Sequence, residues 1–395
     1  MRIEELPPPR RTLDPILSLR VSGEQKSVIS SLCFLATAPD SDDDDFPPLR
    51  CQTLVSGERR HDQDLTSSSR QSYDALNLQS RRLVSCHANG DVLLWNLASR
   101  KPERAFTPNR GPGLLLRRLD DGSILYQSRD PEGTISLHDP DSAQQTHSFP
   151  SYSTTFCAAA TDGRHLVAAP CADYQRVQVR DWRVSSQVLL DMPATDQERQ
   201  GMLTSLSLVS NLLVCGMEGG AVAVYDLRKS SEALTVKAST SIAVSKDPIL
   251  ALDSRVSESG SVWTVAGIAT NKTTVNDVET DSIAVLKASA TEQEELTCRV
   301  RLRLPTSIGD GKTGVNLCRF RPDGAIYAVA GWDQRLRIFH RKARKKEEAP
   351  LAILKGHSAS VTAIDWAGDS SKSGYLATGA EDGRIFVWRC FSQAG

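Results

Sequence analysis

The chain has 395 residues, of which 39% are hydrophobic and 24% are charged, a composition typical of a folded globular protein and not of a disordered tail. Its 47 basic and 48 acidic residues give a formal net charge of −1, which excludes a global field that would hold the chain on nucleic acid or an anionic membrane. Nine cysteines without a CxxC pair argue against a disulfide framework and a zinc ribbon.

The N-terminus, MRIEELPPPRRTLDP, has no apolar stretch of the length that a signal peptide needs. No later window approaches the roughly 18 apolar residues of a membrane span. We therefore expect an intracellular protein that makes no membrane contact.

Short apolar or alternating runs bounded by Gly, Asp, Asn or Ser recur along the whole chain, and this pattern predicts an all-β fold. Each copy of the repeat has an apolar run, a turn, a small-residue run ending in a tight polar turn, and an alternating run. In chain order the copies are 28–97, 113–140, 154–183, 201–228, 248–279, 314–340 and 361–390.

A period of roughly 40–45 residues with this pattern is typical of WD-type repeats, in which each repeat forms one four-stranded antiparallel blade. We predict a single domain over 1–395, a seven-bladed WD40 β-propeller with blades one to seven in the order above. Residues 14–20, DPILSLR, are an alternating strand ahead of blade one. We expect them to form the outer strand of blade seven and so to close the ring.

Three segments fall outside the repeat. Residues 40–80 are acidic and then Ser-rich, which predicts a mobile polar insert in blade one, with a phosphorylated or acidic docking segment as the alternative. Residues 281–304 are interpreted as a long outer excursion. The basic run 341–346 favours a solvated loop, with a nuclear-targeting signal or an acidic-partner patch as alternatives.

Blade seven carries a polar set with the order and spacing of the WD-repeat hydrogen-bond tetrad, namely His357, Thr378, Asp382 and Trp388. Such a chain of donors and acceptors satisfies polar groups that the blade would otherwise bury unpaired. A His, Thr and Asp set is also compatible with a hydrolase, but the spacing favours the structural network.

The other blades depart from this pattern, with Asn89 in place of the turn aspartate of blade one, Gly219 at that position in blade four, and His138 where blade two would carry Trp. A Gly-Lys-Thr fragment at 311–313 is not a phosphate loop, because Thr306 stands where the motif needs glycine. No catalytic, cofactor-binding or metal-binding set emerges, so we predict a protein that is not an enzyme and has no cofactor.

A rigid ring with exposed loops suggests a platform for protein partners. The hairpin turn of blade six offers Trp332, Asp333, Arg335 and Arg337 as candidate partner-binding residues, because Trp and Arg are favoured interface anchors. The alternative is that Trp332 covers the neighbouring blade.

The C-terminal repeats resemble those of the guanine nucleotide-binding protein beta-subunit-like protein 1 and ASTRA-associated protein 1 family. The Ala-Gly-Trp-Asp-x-Arg-x-Arg hairpin of that family is matched by Ala330, Gly331, Trp332, Asp333, Arg335 and Arg337. The Pro-rich opening PPPRRTLDPILSLR is also similar, and a looser likeness extends through most of the chain.

The resemblance implies a non-enzymatic subunit of the ASTRA complex or a co-chaperone that acts in the nucleus and cytoplasm. The partners it implies are the Tel/Tti-type kinase-maturation adaptor, the RuvB-like ATPases and the phosphatidylinositol-3-kinase-related kinases. It also implies a link to chromatin regulation. We expect no direct contact with nucleic acid and a monomer within a larger complex.

Two further hypotheses stay open. In a substrate receptor of a cullin-type ubiquitin ligase, the Asp-x-Arg box at the end of blade four, with Tyr225, Asp226 and Arg228, would contact the ligase adaptor. WD blades also end in this way for structural reasons. An esterase or phosphatase ring enzyme would need clustered acids or histidines at the central channel, and the sequence offers no such pattern.

Overall fold

The computed structural model is almost entirely β, and its described part contains one short 3₁₀ segment, Leu227–Lys229. No helix in this part is long and apolar enough to cross a membrane. The structure describes residues 12–13, 15, 17–20, 28–35, 82–106, 111–129, 133–151, 155–171, 176–184, 188–193, 201–229, 240–257, 259–271, 282–288, 296–302, 304, 312–342, 349–367 and 374–390.

The strands follow one another with short connections. The first are β1 (Thr12–Leu13), β2 (Leu17–Arg20), β3 (Ile29–Leu35), β4 (Arg82–His87), β5 (Val92–Asn96) and β6 (Lys101–Phe106). Next come β7 (Gly113–Arg118), β8 (Ile124–Ser128), β9 (Thr134–His138), β10 (Gln145–Pro150), β11 (Ala160–Thr161), β12 (Leu166–Pro170), β13 (Arg176–Asp181) and β14 (Val188–Pro193).

The second half of the chain continues the series. Its strands are β15 (Leu203–Val209), β16 (Leu212–Met217), β17 (Ala221–Asp226), β18 (Thr240–Ala243), β19 (Ile249–Val256), β20 (Val262–Asn271), β21 (Ile283–Ala288) and β22 (Leu296–Leu302). The last are β23 (Lys312–Phe320), β24 (Ile326–Gly331), β25 (Leu336–His340), β26 (Ala352–Leu354), β27 (Val361–Trp366), β28 (Tyr375–Ala380) and β29 (Arg384–Arg389).

These strands pair into five four-stranded sheets and one nine-stranded sheet. We interpret the nine-stranded sheet as two neighbouring blades, β19–β22 and β23–β26, that are joined where β20 pairs with β23, with β1 added alongside β26. The remaining blades are β3–β6, β7–β10, β11–β14, β15–β18 and β27–β29 with β2. We number each strand set after the predicted range that it contains, so that β3–β6 form blade one and β27–β29 with β2 form blade seven.

The middle strands are buried on both faces because each blade is packed between two others. In β24, IYAVAG, every residue is buried, and small side chains let neighbouring sheets approach closely. The outer strand β10 has four exposed residues in succession. The fold therefore contains a ring of buried inner strands and a rim of polar outer strands.

The core consists of clusters of buried apolar side chains, each shared by two successive blades. One cluster joins the last blade to the first and contains Leu32, Tyr375 and Ala377. The N-terminal strand β2 pairs antiparallel with β29, with Leu17 opposite Val387, in the outer position predicted for 14–20. The backbone N–H of Phe34 also donates to the Asp365 carboxylate across this junction, at 3.0 Å.

The observed sheets extend past the predicted repeat ranges. Six of the seven predicted ranges end at the third strand of their sheet, because the outer strands lack the apolar periodicity that marks the inner ones, and the range of blade five ends after its second strand, β20. Blade five differs most. Residues 281–304 were predicted to be an outer excursion, and this is wrong, because β21 and β22 lie there as the third and fourth strands of that blade. The insert 40–80 and most of the basic run 341–346 lie outside the described residues.

Candidate functional site

The four tetrad residues of blade seven meet in one hydrogen-bonded chain. The indole Nε1–H of Trp388 donates to Thr378 Oγ1 at 2.8 Å, and Thr378 Oγ1 lies 2.8 Å from His357 Nε2. The other imidazole nitrogen, Nδ1, lies 3.2 Å from the carboxylate of Asp382. The chain links the turn, the second strand and the third strand of the blade, so it fixes the hairpin to the segment that precedes it.

Asp382 is the end point of this chain. Burial opposes its ionisation, but hydrogen bonds from His357 and from the backbone N–H groups of Ser358 and Arg384 lower its pKa to about 2. Thr378 is fully buried and Trp388 is 1% exposed. Because the hydroxyl has no access to a substrate and two partners already engage it, the set can hold a fold together but cannot act as a nucleophile.

Blade six places a different pair at the same turn. The two terminal nitrogens of the Arg337 guanidinium donate hydrogen bonds to the Asp333 carboxylate, at 3.0 Å (Nη1 to Oδ1) and 2.6 Å (Nη2 to Oδ2). Arg337 is only 1% exposed. Its assignment as a partner-binding residue is therefore wrong, because Arg337 shares a strand face with Phe339, and that face packs against blade five. Both carboxylate oxygens of Asp333 accept hydrogen bonds from Arg337.

The two other candidates of this turn differ from each other. The half-buried indole of Trp332 lies directly over Gly314, where any larger side chain would collide with it, and its backbone N–H donates to the Gly314 carbonyl at 3.0 Å. Trp332 therefore covers the start of β23 in its own blade, and the alternative that it covers the neighbouring blade stays a prediction. The side chain of Arg335 is exposed. Of the four candidates, Arg335 is the one whose side chain faces solvent.

Sequence reasoning missed a second polar network, which lies in blade one. The Trp95 indole donates to Ser85 Oγ at 2.8 Å, and that hydroxyl lies 3.0 Å from Nε2 of His87, which stands at the end of β4. Burial lowers the pKa of His87 to about 4. A histidine from the strand replaces the loop histidine of blade seven, so a search for a Gly-His pair could not find it. Alignment of Ser85 and Trp95 with Thr378 and Trp388 could have found it.

One face of the ring carries all these turns. In six blades, the turn between the second and third strands donates a backbone N–H to the residue that precedes the first strand. The pairs are Ala88–Val28, Arg129–Pro112, Glu218–Met202, Ala269–Pro248, Trp332–Gly314 and Glu381–Ser360. We call the face that carries these turns and the segments before each first strand the tetrad face.

Two apolar side chains are exposed on the tetrad face, and sequence reasoning missed both. Phe156, in the segment before β11, is 81% exposed, and the guanidinium of Arg129 stacks on its ring at 4.0 Å from the centroid. Met202, just before β15, is 44% exposed. Val184 and Val256, 48% and 40% exposed, lie at strand ends of the opposite face. The Phe156 ring is the most exposed large apolar side chain of these.

The ligase motif of blade four lies on the opposite face. Tyr225 and Asp226 are buried, whereas the side chain of Arg228 is 65% exposed. The Arg228 guanidinium is held by Asp226 at 2.7 Å, and blade three repeats this geometry with Arg183 on Asp181 at 2.5 Å. The repetition fits a structural clamp at the end of a third strand, and it leaves the outer edge of Arg228 at the surface.

The described residues contain no group of three or more His, Cys, Asp or Glu side chains that could hold a metal ion. A cavity of about 410 Å³ lies inside the ring and is lined mainly by first strands, with arginine and aspartate side chains in its wall. A hydrolytic ring enzyme would need a cluster of acidic side chains or histidines here, whereas this wall mixes aspartates with arginines.

The geometry and the comparisons with known proteins agree on the class. The family model "WD domain, G-beta repeat" matches residues 348–389, which include the blade seven tetrad. The crystal structure of the Myceliophteria thermophila Cps50 (Swd1) β-propeller domain aligns with a TM-score of 0.59 at 16% identity, covering 78% of this chain and 94% of that chain. The chain therefore contains a WD-type repeat at 348–389 and has the predicted all-β propeller fold.

Similarity to particular relatives extends along most of the chain. It is 28% identical to guanine nucleotide-binding protein subunit beta-like protein 1 of Mus musculus, over 78% of this chain and 87% of that protein. It is 24% identical to ASTRA-associated protein 1 of Aspergillus niger, over 73% and 76% of the two chains. The same protein of Penicillium rubens is 24% identical over 78% and 80%. The resemblance inferred from the C-terminal hairpins is confirmed.

Proposed function

We propose that this WD-repeat scaffold is an ASTRA-type subunit that binds protein partners through its tetrad face. In this role it acts as a co-chaperone adaptor in the maturation of phosphatidylinositol-3-kinase-related kinases and in chromatin regulation, in the nucleus and cytoplasm. Its direct partners are the Tel/Tti-type adaptor and RuvB-like ATPases. It performs no catalysis, requires no cofactor and works as a monomer within the larger complex.

The names and the extent of the relatives support the ASTRA-type role. Proteins called ASTRA-associated protein 1 from two fungi align with about three quarters of this chain. Similarity of that extent favours a shared architecture, and with it a shared assembly, over a single borrowed repeat.

The exposure of Phe156 is the observation that carries the choice of face. A Phe ring 81% exposed beside an arginine is the chemistry of an interface anchor, since aromatic and Arg side chains supply most of the binding energy at hot spots. Arg335 adds a second exposed cation on the same face. The Arg337–Asp333 pair and the His357–Asp382 contact hold turns of this face in place, which lowers the ordering cost of presenting its anchors.

Affinity purification of the tagged full chain tests the proposal. We expect the wild type to recover RuvB-like ATPases and a Tel/Tti-type adaptor. Phe156→Ala combined with Arg335→Glu should reduce that recovery about tenfold or more, because each removes an anchor of the kind that costs 1–2 kcal/mol or more at an interface.

The matched control is Val184→Ala combined with Val256→Ala, which removes exposed apolar groups from the opposite face. We expect this variant to recover the partners at the wild-type level. Equal loss in both variants would refute the choice of face, and recovery of none of these partners by the wild type would refute the ASTRA-type role. Thermal unfolding of both variants checks that the ring is intact.

The ligase-receptor hypothesis keeps one observation in its favour, the exposed edge of Arg228. The same purification tests it. Recovery of a cullin-ligase adaptor that disappears with Arg228→Ala and persists with Arg183→Ala, the equivalent clamp of blade three, would support a receptor role in place of the ASTRA-type role.

A further inference from the structure

The cavity inside the ring contains an ion network that spans three blades. Arg319 of blade six bridges Asp253 of blade five, at 3.1 Å, and Asp365 of blade seven, at 3.7 Å. Each carboxylate also accepts a backbone N–H from the following blade: Phe320 donates to Asp253 at 2.7 Å, and Phe34 donates to Asp365 at 3.0 Å. The two carboxylates are thus committed to joining blades.

Arg117 lines the same cavity without a comparable partner. Among the described residues, its hydrogen bond runs to the carbonyl of Leu116 at 3.1 Å, and no carboxylate oxygen lies within ion-pair distance of it. Burial and the nearby charge of Arg319 together lower its pKa to about 10, against the opposing effects of Asp365 and Asp253. A guanidinium carries five N–H donors, so most of those of Arg117 are open to the cavity.

Arg255 lines the same cavity further from the tetrad face than Arg117 does. Arg117 lies two residues after the bulge that ends at Leu115, as Asp253 does after the bulge that ends at Ala251, and Arg255 follows Asp253 by two residues. The Nε–H of Arg255 donates to the Pro322 carbonyl at 3.2 Å, which leaves its terminal nitrogens without a carboxylate among the described residues. Burial also lowers the pKa of Arg255.

Among the described residues, the charges in the inner wall of the cavity do not balance. Three guanidinium groups, those of Arg117, Arg255 and Arg319, face the two carboxylates of Asp253 and Asp365. The remaining charged side chains of the wall are engaged elsewhere: Arg118 has a partner of its own, Asp120 lies 3.5 Å from Arg164, and Asp162 accepts backbone N–H groups. This part of the wall therefore carries one surplus positive charge in a partly desolvated space.

We propose that the cavity is a binding site for one compact oxyanion, a phosphate or a carboxylate, held by Arg117 with Arg255 two residues further along the wall. A guanidinium binds such groups through two parallel N–H···O bonds. A cavity of about 410 Å³ falls within the size range of small-ligand sites. The two fixed carboxylates repel a polyanion and limit the ligand to low charge. This site is separate from the tetrad face and does not depend on the proposed function.

Titration calorimetry of the full chain with inorganic phosphate, and in a parallel arm with acetate, tests the site at constant ionic strength set by sodium chloride. We expect saturable binding of at least one of the two, which identifies the oxyanion class. Arg117→Gln should weaken it about tenfold or more, because a charged bidentate pair is lost. Arg335→Gln, which alters an exposed arginine outside the cavity, should leave the affinity unchanged.

Thermal unfolding provides the second readout. The bound anion should raise the midpoint of the wild type and of Arg335→Gln above that in chloride, and should not raise that of Arg117→Gln. In chloride alone Arg117→Gln should match or exceed the wild type, since it removes a desolvated charge. If Arg117→Gln does not fold, Arg255→Gln serves as the test variant, and we expect the same loss of anion binding. No binding of either anion by the wild type, or unchanged binding by the variants, would overturn the proposal.

Discussion

In blade seven the turn aspartate Asp382 meets an imidazole from the preceding segment, whereas in blade six Asp333 meets a guanidinium from its own hairpin. Both arrangements place a donor beneath a carboxylate at the tetrad face. They differ in reach, because His357 ties the hairpin to the segment before the first strand and Arg337 ties it only to itself. A turn aspartate thus requires a buried donor, and the sequence can supply that donor from more than one strand position.

Arg337→Leu should have the largest effect on this comparison. It leaves the Asp333 carboxylate with no counterion in a half-buried turn, and the free energy of unfolding should fall by about 3 kcal/mol or more. Urea denaturation measures the loss. Arg337→Lys should recover part of it, since a single ammonium replaces the two-pronged contact. A loss below about 1 kcal/mol for Arg337→Leu would contradict the role of the pair.

Blade one offers a third case, in which the buried histidine His87 contacts the hydroxyl of Ser85 and not a carboxylate. Burial lowers the pKa of His87 from 6.5 to about 4, so the unfolded chain binds the proton more tightly than the folded chain does. Stability is therefore fully present above pH 6.5 and is lost as the pH falls towards 4, by about 3 kcal/mol from this residue.

His87→Gln should flatten the dependence of unfolding free energy on pH between 6.5 and 4, measured by urea denaturation at several pH values. The Asp382 contribution has a lower window, because its pKa is lowered from 3.8 to about 2 and its stabilisation disappears only below pH 3.8. An unchanged slope above pH 4 in His87→Gln would show that this histidine is not held neutral.

Thr378→Val sharpens the account of blade seven with a moderate effect. The substitution keeps the shape but leaves the Trp388 indole N–H and the His357 imidazole without their shared oxygen, at a cost of about 2 kcal/mol. Thr378→Ser keeps that oxygen and should cost about 1 kcal/mol or less. Equal losses for the two variants, measured by denaturation, would assign the effect to packing and not to the hydrogen bonds.

Arg335→Glu should have the smallest effect on stability, within about 0.5 kcal/mol of the wild type, because its exposed side chain supports no described contact of the turn. Thermal unfolding measures this. A large loss would place Arg335 in the fold alongside Arg337 and remove it from the candidate binding surface.

The inner strands and the blade seven tetrad were predictable from sequence, because burial on both faces imposes continuous apolar runs and the tetrad has a fixed spacing. The outer strands were not, since a strand such as β10 is exposed and carries no periodic signal. Blade five was cut short because IAVLKA, which forms β21, follows a repeat whose polar turn had decayed.

The exposure of the candidate site residues could not be predicted from the sequence either. Arg335 and Arg337 are two residues apart and so belong to the same face of the hairpin, and only the packing of blade five against β25 separates the buried side chain from the exposed one. Exposure of Phe156 and the meeting of Arg117, Arg319 and Asp365 inside the ring depend on segments far apart in the chain. Sequence spacing within one repeat carries no information about either.

The central claim is that the charged residues of the tetrad face divide into buried pairs that hold blades and exposed groups that are left for partners. A double-mutant cycle on Asp333→Asn and Arg337→Leu, read by urea denaturation, measures the buried pair directly. The predicted coupling energy is about 2 kcal/mol or more, with the double variant more stable than the sum of the single losses implies. A coupling energy below about 0.5 kcal/mol would contradict the claim.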